Sequence, residues 1–333
     1  MRLFLNIFII TITCCTLPVQ APNGFAANND GPVLPYPESL LEDLKSKDEA
    51  ARLSAIQAIK PYREVQSIPI LLAMVLEEPN SQIRLQAVGA LWNRNDTRAA
   101  RALEKVLVLD KDIMVRIASA GALGDVGIPS SSPIFLLNTI QSSEDSALIA
   151  RCIRSLGRLR AFSASNTVSG FLSLEYPTEV RGTAAEALGL MGDDKQVDTL
   201  LETLENDPDN TVRSLAAQAV GRTGSTAPIE TLIRTLLFDD SDIVRYQSAM
   251  ALGLKRMTTP IYDAMIAGLR DTDKRVRFVC LKNISPRIKK DDIGAIAELL
   301  TDERKGIREL AHQVLSRRGI VMERIGDRHR LVE

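Results

Sequence analysis

Apolar positions recur along the chain at helical spacing, and the whole pattern returns about every 32 residues. Residues 180–192 read VRGTAAEALGLMG, and residues 212–224 read VRSLAAQAVGRTG. With the Arg as anchor, the series runs Arg52, Arg84, Arg116, Ile149, Arg181, Arg213, Arg245, Arg277, Arg308, at intervals of 31 to 33. The residue before each anchor is apolar. The third after it is small: Ala55, Ala87, Ser119, Cys152, Ala184, Ala216, Ser248, Cys280, Ala311. The seventh is Ile, Leu or Val in all nine copies. Positions −1, +3, +4 and +7 fall on one stripe of a helix, so each anchor predicts an amphipathic helix with a small-residue contact at its centre. Gly at +8 in copies three to seven, such as Gly189 and Gly221, predicts a left-handed cap at the helix end.

A second helix precedes each anchor. Copy seven shows it in Ile229, Leu232, Ile233, Leu236 and Leu237 after Pro228. Pro133 after Ser132 and Pro260 after Thr259 repeat the start signal. The unit is helix, turn, helix, with no strand period in the repeats. One such pair cannot bury its own apolar face, and stacking neighbours makes a continuous core. The predicted class is therefore all-α, an α-solenoid of about nine helix pairs over residues 38–318. The last residues, 319–333, leave the pattern. Gly319 is read as a helix stop, and Ile320, Val321 and Met322 as a cap on the last core layer.

The motif V-R-x-x-A-A-x-A-L-G, met almost letter for letter at residues 180–189, resembles the HEAT repeat. The match is to the short class related to the HEAT-like repeats of phycobilin lyases, and it covers nearly all of residues 38–318. The signatures of tetratricopeptide and ankyrin repeats are absent. The resemblance implies an α-α superhelix whose second helices line the concave surface, and it says little about activity.

Composition narrows the function classes. Forty-one Lys and Arg against 42 Asp and Glu give a net charge of −1, and aromatics are 4% with one Trp. No nucleic-acid partner is expected from that balance. The N-terminus has Arg2 before an apolar run from Leu3 to Leu17, short for a bilayer span and the right length for a signal-peptide core. A cut after Ala26 makes residues 1–26 a signal peptide and 27–37 a flexible lead, for a periplasmic or secreted protein. Two alternatives stand beside it: an uncleaved amphipathic anchor, and a lipid on Cys14 or Cys15 that would tether a lipoprotein to the membrane.

Six residues before the anchor lies an acid in seven copies: Glu78, Asp110, Glu175, Asp207, Asp239, Asp271, Asp302. Each is placed to cap the following helix. The Arg fork can bridge such acids or turn carbonyls within and between repeats. Copy four breaks the pattern at both positions, with Ser143 and Ile149. A calcium row needs several oxygens converging on one point, and one or two acids per turn matched by an Arg do not supply that. Cys152 and Cys280 lie four repeats apart at the small core position, too far for a disulfide and placed as buried fillers. His312 sits on a core-flanking face and His329 in the tail. No His–Glu pair, Cys-x-x-Cys, phosphate loop or nucleophile elbow occurs. The repeated His–Glu pairs of the HEAT-like deoxyhypusine hydroxylases are thus missing. No catalytic residue, metal or cofactor is assigned.

Positions +1, +5 and +9 of each second helix lie opposite the core stripe. They give an apolar cluster of Tyr246, Met250, Leu254 and Phe278, and a basic stretch of Arg154, Arg158 and Arg222. Tyr246, Met250, Phe278, Arg154, Arg158 and Arg222 are the candidate partner-binding residues; the competing assignment has Tyr246 and Phe278 covering the seam between helices. The expectation is an exported, non-catalytic scaffold binding a protein or peptide on its concave face. The alternatives are a phycobilin-lyase-like enzyme, a small-ligand binding protein, or a lipid-anchored envelope assembly factor.

Overall fold

Each repeat unit folds as two packed helices in the computed structural model, which describes residues 39–60, 67–92, 96–224, 228–320, 322–325 and 328–331. The signal peptide and flexible lead lie outside the described residues. The helices are α1 (Ser39–Asp43) and α2 (Glu49–Ala58), α3 (Ile68–Glu77) and α4 (Ser81–Trp92), α5 (Thr97–Leu109) and α6 (Ile113–Val126). Then come α7 (Ser132–Ser142) and α8 (Ser146–Arg158), α9 (Ser165–Gly170) and α10 (Thr178–Met191), α11 (Val197–Asn206) and α12 (Asn210–Arg222). The last three pairs are α13 (Ile229–Phe238) and α14 (Asp242–Leu254), α15 (Thr259–Gly268) and α16 (Lys274–Ile284), α17 (Ile293–Glu298) and α18 (Lys305–Arg317). Every anchor falls on an even-numbered helix. Even helices stack on even and odd on odd, giving two layers with the core between them. The fold is the α-solenoid that the periodicity predicts.

The core stripe is the predicted one. All residues at +3 and +7 are buried, from Ala55 and Ile59 to Ala311 and Leu315. Position −1 is buried except at Ala51, and position +4 except at His312. The glycines at +8 act differently from the expectation. Among the described glycines, only Gly192 and Gly319 have a left-handed backbone, and these two close α10 and α18. Gly157, Gly189 and Gly221 stay helical and face the next even helix. A Cβ on them would stand 2.7 to 2.8 Å from the Cα of Ala187, Ala219 and Ala251 respectively. The small side of this contact brings the even helices close together. Close contact in the even layer is what a stack curved toward that layer requires, in keeping with the expectation that the second helices line the concave face.

The turns explain the Arg–acid pattern. The acid six residues before the anchor is not the helix cap; that role belongs to the residue two positions later. Asp48, Asp112, Asp145, Asp209 and Asp273 at this later position accept N–H groups of the first helical turn. The earlier acid accepts the N–H of the cap residue, as Asp207 does from Asp209 at 2.9 Å. It also receives the Arg fork of the preceding repeat. Six rungs form this way: Arg52–Glu78, Arg84–Asp110, Arg181–Asp207, Arg213–Asp239, Arg245–Asp271 and Arg277–Asp302. In each, Nε and Nη2 donate to the two carboxylate oxygens, while Nη1 donates to turn carbonyls of its own repeat, such as Ser46 and Lys47 for Arg52. One guanidinium therefore ties a turn to itself and to the next turn. The break in copy four costs two rungs. Arg116 has no acid opposite and turns its Nε to the Leu107 carbonyl at 2.8 Å. Ile149 is buried, and Glu175 is exposed.

The ladder makes stability depend on acid. The Arg52 fork holds the Glu78 carboxyl below its ordinary value. At Asp239 burial acts to raise the value, and the Arg213 fork with the Ser241 N–H outweighs it, so this carboxyl is also held low. Through that range the unfolded chain binds more protons than the folded one. The contribution is complete above the ordinary carboxylate pKa of about 4 and drains as the pH falls through the lower, folded values. Thermal melting across an acid series checks this: the midpoint falls below about pH 4, and Arg52→Met flattens the fall. Parallel acid limbs in the two proteins would contradict it.

The tail adds a short strand pair to the helical stack. Strands β1 (Met322–Ile325) and β2 (Arg328–Leu331) pair antiparallel, Met322 opposite Leu331, and β2 lies against the Leu299–Thr301 turn. Ile320 packs half-buried on the last core layer, as expected of a cap. Val321 and the side chain of Met322 lie outside the described residues. The cap is completed by a hairpin, and the segment MERIGDRHRL carries no apolar alternation that would announce one.

Candidate functional site

Three even helices at the C-terminal end of the stack frame a groove of about 680 Å³ on the concave layer. Its floor follows from spacing on helices. Tyr246, Met250 and Leu254 recur every four residues and form a stripe along α14. Phe278 stands beside them on α16, followed by Val279. Met250 is 40% exposed, Leu254 67% and Phe278 38%. Tyr246 is half-buried and packs on the core. It therefore shares in the seam between repeats, while Phe278 stands out from it.

The rim is cationic: Lys274, Arg275 and Lys282 on α16, with Arg304 and Lys305 at the start of α18. Arg275 is held in place. Its guanidinium lies 5.5 Å from the Tyr246 ring centroid and pairs with Asp242 and Asp273, each at 3.0 Å. Burial pushes the Asp273 carboxyl up, but the Arg275 fork and backbone N–H outweigh it and hold it down at about 2. Lys305 lies 3.6 Å from exposed Glu309. Among the described residues, Lys274, Lys282 and Arg304 form no ion pair. The result is an open apolar trough with excess positive charge on one side.

The structure brings together Tyr246, Met250, Leu254 and Phe278 and leaves the three arginines outside the groove. Arg154 lies 3.5 Å from Glu186 and donates to the Thr183 hydroxyl at 3.3 Å. Arg158 donates to both oxygens of Asp125, which also accepts from the Trp92 indole at 2.7 Å. Arg222 is exposed. The sequence columns also fail in the middle of the stack. Ala150, Gly182 and Ser214 at +1 are buried. Leu215, one residue further along its own repeat, covers Gly182, with its Cδ1 3.2 Å from where a Cβ would stand. Position +1 lies in the inter-helix seam there; it is half-buried at Leu53, Leu85, Ile117 and Tyr246 and exposed at Phe278 and Glu309.

None of the five rim cations was among the candidates: four precede the anchor, in the capping turn, and Lys282 follows it at +5. A signal was available in the sequence. At −3 the first seven copies carry Glu49, Ser81, Ile113, Ser146, Thr178, Asn210 and Asp242, whereas the last two carry Lys274 and Lys305.

Cys152 and Cys280 are free and buried, and burial pushes both thiols up, Cys152 to about 12. They are protected from acting as thiolates at neutral pH. Among the described residues there is no cluster of three or more His, Cys, Asp or Glu placed to hold a metal, and no helix long and apolar enough to cross a membrane.

A family model for HEAT repeats matches residues 68–157, 135–221, 170–253 and 197–277. No curated protein sequence matches the chain. Among solved structures, importin beta aligns at 16% identity with a TM-score of 0.56, over 84% of this chain and 45% of that one. Kap95p, solved in its binding to RanGDP, aligns at 13% identity with a TM-score of 0.55, over 83% and 43%. The chain thus spans less than half the length of either. The CpcE–CpcF complex of phycocyanin lyase from Nostoc aligns at 20% identity with a TM-score of 0.43, over 72% of this chain and 96% of that one. At these identities the first two alignments establish the superhelical fold.

Proposed function

The chain belongs to the HEAT-repeat family, and from that premise we propose that it is a non-catalytic scaffold that holds a protein partner in the C-terminal groove of its concave face. The observation that carries this reading is the exposed apolar trough of Met250, Leu254 and Phe278, spread over two neighbouring helices and rimmed by cations. Water-exposed aromatic and long aliphatic side chains grouped beside Arg have the composition of a binding hot spot. Binding by a superhelix of this fold has a precedent in Kap95p with RanGDP. The signal-like residues 1–26 support export, to the periplasm or outside the cell, and Cys14 or Cys15 offers the alternative of a lipid tether.

The test pairs Tyr246→Ala with Phe278→Ala in the tagged chain and follows the partner by crosslinked pull-down from the cell envelope. One stoichiometric partner is expected on the wild type and none on the double variant, with the helical circular dichroism unchanged. Phe278→Ala alone leaves the melting temperature close to that of the parent, because the ring is already partly in water. A partner retained by the folded double variant would remove the groove from the reading. A partner-free chain with visible absorbance from a bound chromophore would favour the lyase-like alternative.

A further inference from the structure

We infer that the groove takes an acidic, amphipathic segment of its partner, with carboxylates on one face and aromatic or aliphatic residues on the other; the inference rests on the reading of the groove as the partner site. The two halves of the groove differ. The α14 side is apolar, through Met250 and Leu254, and the α16–α18 side is cationic, through Lys274, Lys282, Arg304 and Lys305. Phe278 stands between them on α16. An occupant that covers both halves must itself be divided in the same way.

The cations are not explained by the stability of their own helices. Lys274 and Lys305 open α16 and α18, where the positive end of the helix dipole disfavours a cation. Earlier copies place neutral or acidic residues there. The capping acid Asp273 is already engaged by Arg275, and Asp302 by Arg277. Carboxylates from a partner would relieve this local excess and meet Lys274 and Lys282, which hold no acid among the described residues. A bare polyanion would satisfy the charge but leave Phe278, Met250 and Leu254 in water. An apolar ligand alone would do the reverse.

Fluorescence anisotropy on the full chain tests the assignment with three labelled probes. One is a helical peptide with Leu and Phe on one face and Glu on the other. The second replaces each Glu with Lys, and the third replaces Leu and Phe with Ser. The first peptide is expected to bind. Its affinity drops about tenfold in Lys282→Glu and again in Lys274→Glu, and it weakens as salt rises. The second and third peptides are expected to show no saturable binding. Equal binding of the first peptide to wild type and Lys282→Glu would overturn the inference, as would its failure to bind at all. Preference for the Lys peptide, lost in Phe278→Ala, would overturn the acidic assignment and leave the groove as the partner site. Anionic vesicles captured through Lys282 in place of the peptide would overturn both. Circular dichroism of each variant confirms that it is folded.

Discussion

Asp207→Ala destabilises the solenoid by about 3–5 kcal/mol. Asp207 and Arg181 form the most enclosed rung, with side chains 1% and 7% exposed. The Arg181 fork donates to both Asp207 oxygens at 2.8 and 2.9 Å, and its remaining Nη1 to the Tyr176 carbonyl at 2.7 Å. Asp207 also accepts the N–H of the cap residue Asp209. Truncating the carboxylate leaves a guanidinium buried beside an empty space and frees the turn that starts α12. The loss is dominated by that stranded charge, so Arg181→Met with Asp207→Ala costs less than the two single changes together. Glu298→Ala is the control. Its partner Arg270 is largely in water, and loss of such a pair leaves stability nearly unchanged. Urea unfolding of the four variants orders them. An Asp207→Ala midpoint no lower than that of Glu298→Ala would mean that the ladder does not hold the repeats together.

The same Gly-to-Ala change has opposite signs at two positions. In a helix, Ala is favoured over Gly by about 1 kcal/mol. At Gly294, where no atom lies within 4 Å of an added methyl group, that preference acts alone, and Gly294→Ala stabilises. At Gly189 the methyl carbon would stand 2.7 Å from the Ala219 Cα and 2.8 Å from its Cβ. Both atoms belong to the next helix, so relief requires α10 and α12 to move apart along their length. Overpacking of this kind costs about 1–3 kcal/mol and outweighs the propensity gain, so Gly189→Ala destabilises and Gly189→Leu does so more. A separation of two helices in the inner layer also opens the curvature of the stack. Thermal melts read the sign, and small-angle scattering reads the shape. Stabilisation by Gly189→Ala would contradict the close contact that curves the concave face.

The repeat was legible because its period, anchor and core stripe are written in residue type. All nine copies keep a small residue at +3 and an aliphatic one at +7, and these positions are buried. The Arg–acid pairing was legible as a spacing, but not its direction. A guanidinium that reaches the next repeat's acid and its own turn's carbonyls needs the stacking distance, which no single unit encodes. The +8 glycines show the same limit. Gly is equally suited to a left-handed cap and to a close helix crossing, and only the neighbour Ala219 decides for Gly189. At the site, Tyr246, Met250 and Leu254 were legible as a stripe on one helix, and Phe278 as the +1 residue of the next copy. Lys274, Arg304 and Lys305 were not, because the capping turns converge on the groove only when α14, α16 and α18 are stacked. Arg154 and Arg158 were placed beside the apolar cluster by column, whereas their acids, Glu186 and Asp125, come from adjacent repeats.

On the proposed reading, the C-terminal groove is where a partner sits. A photo-activated crosslinking residue at position 250, on the open floor of the groove, tests it in the intact cell. One discrete adduct is expected at position 250, and none from the same residue placed at Glu230 on the outer layer. Adducts of equal yield from both positions, or none from position 250, would contradict it.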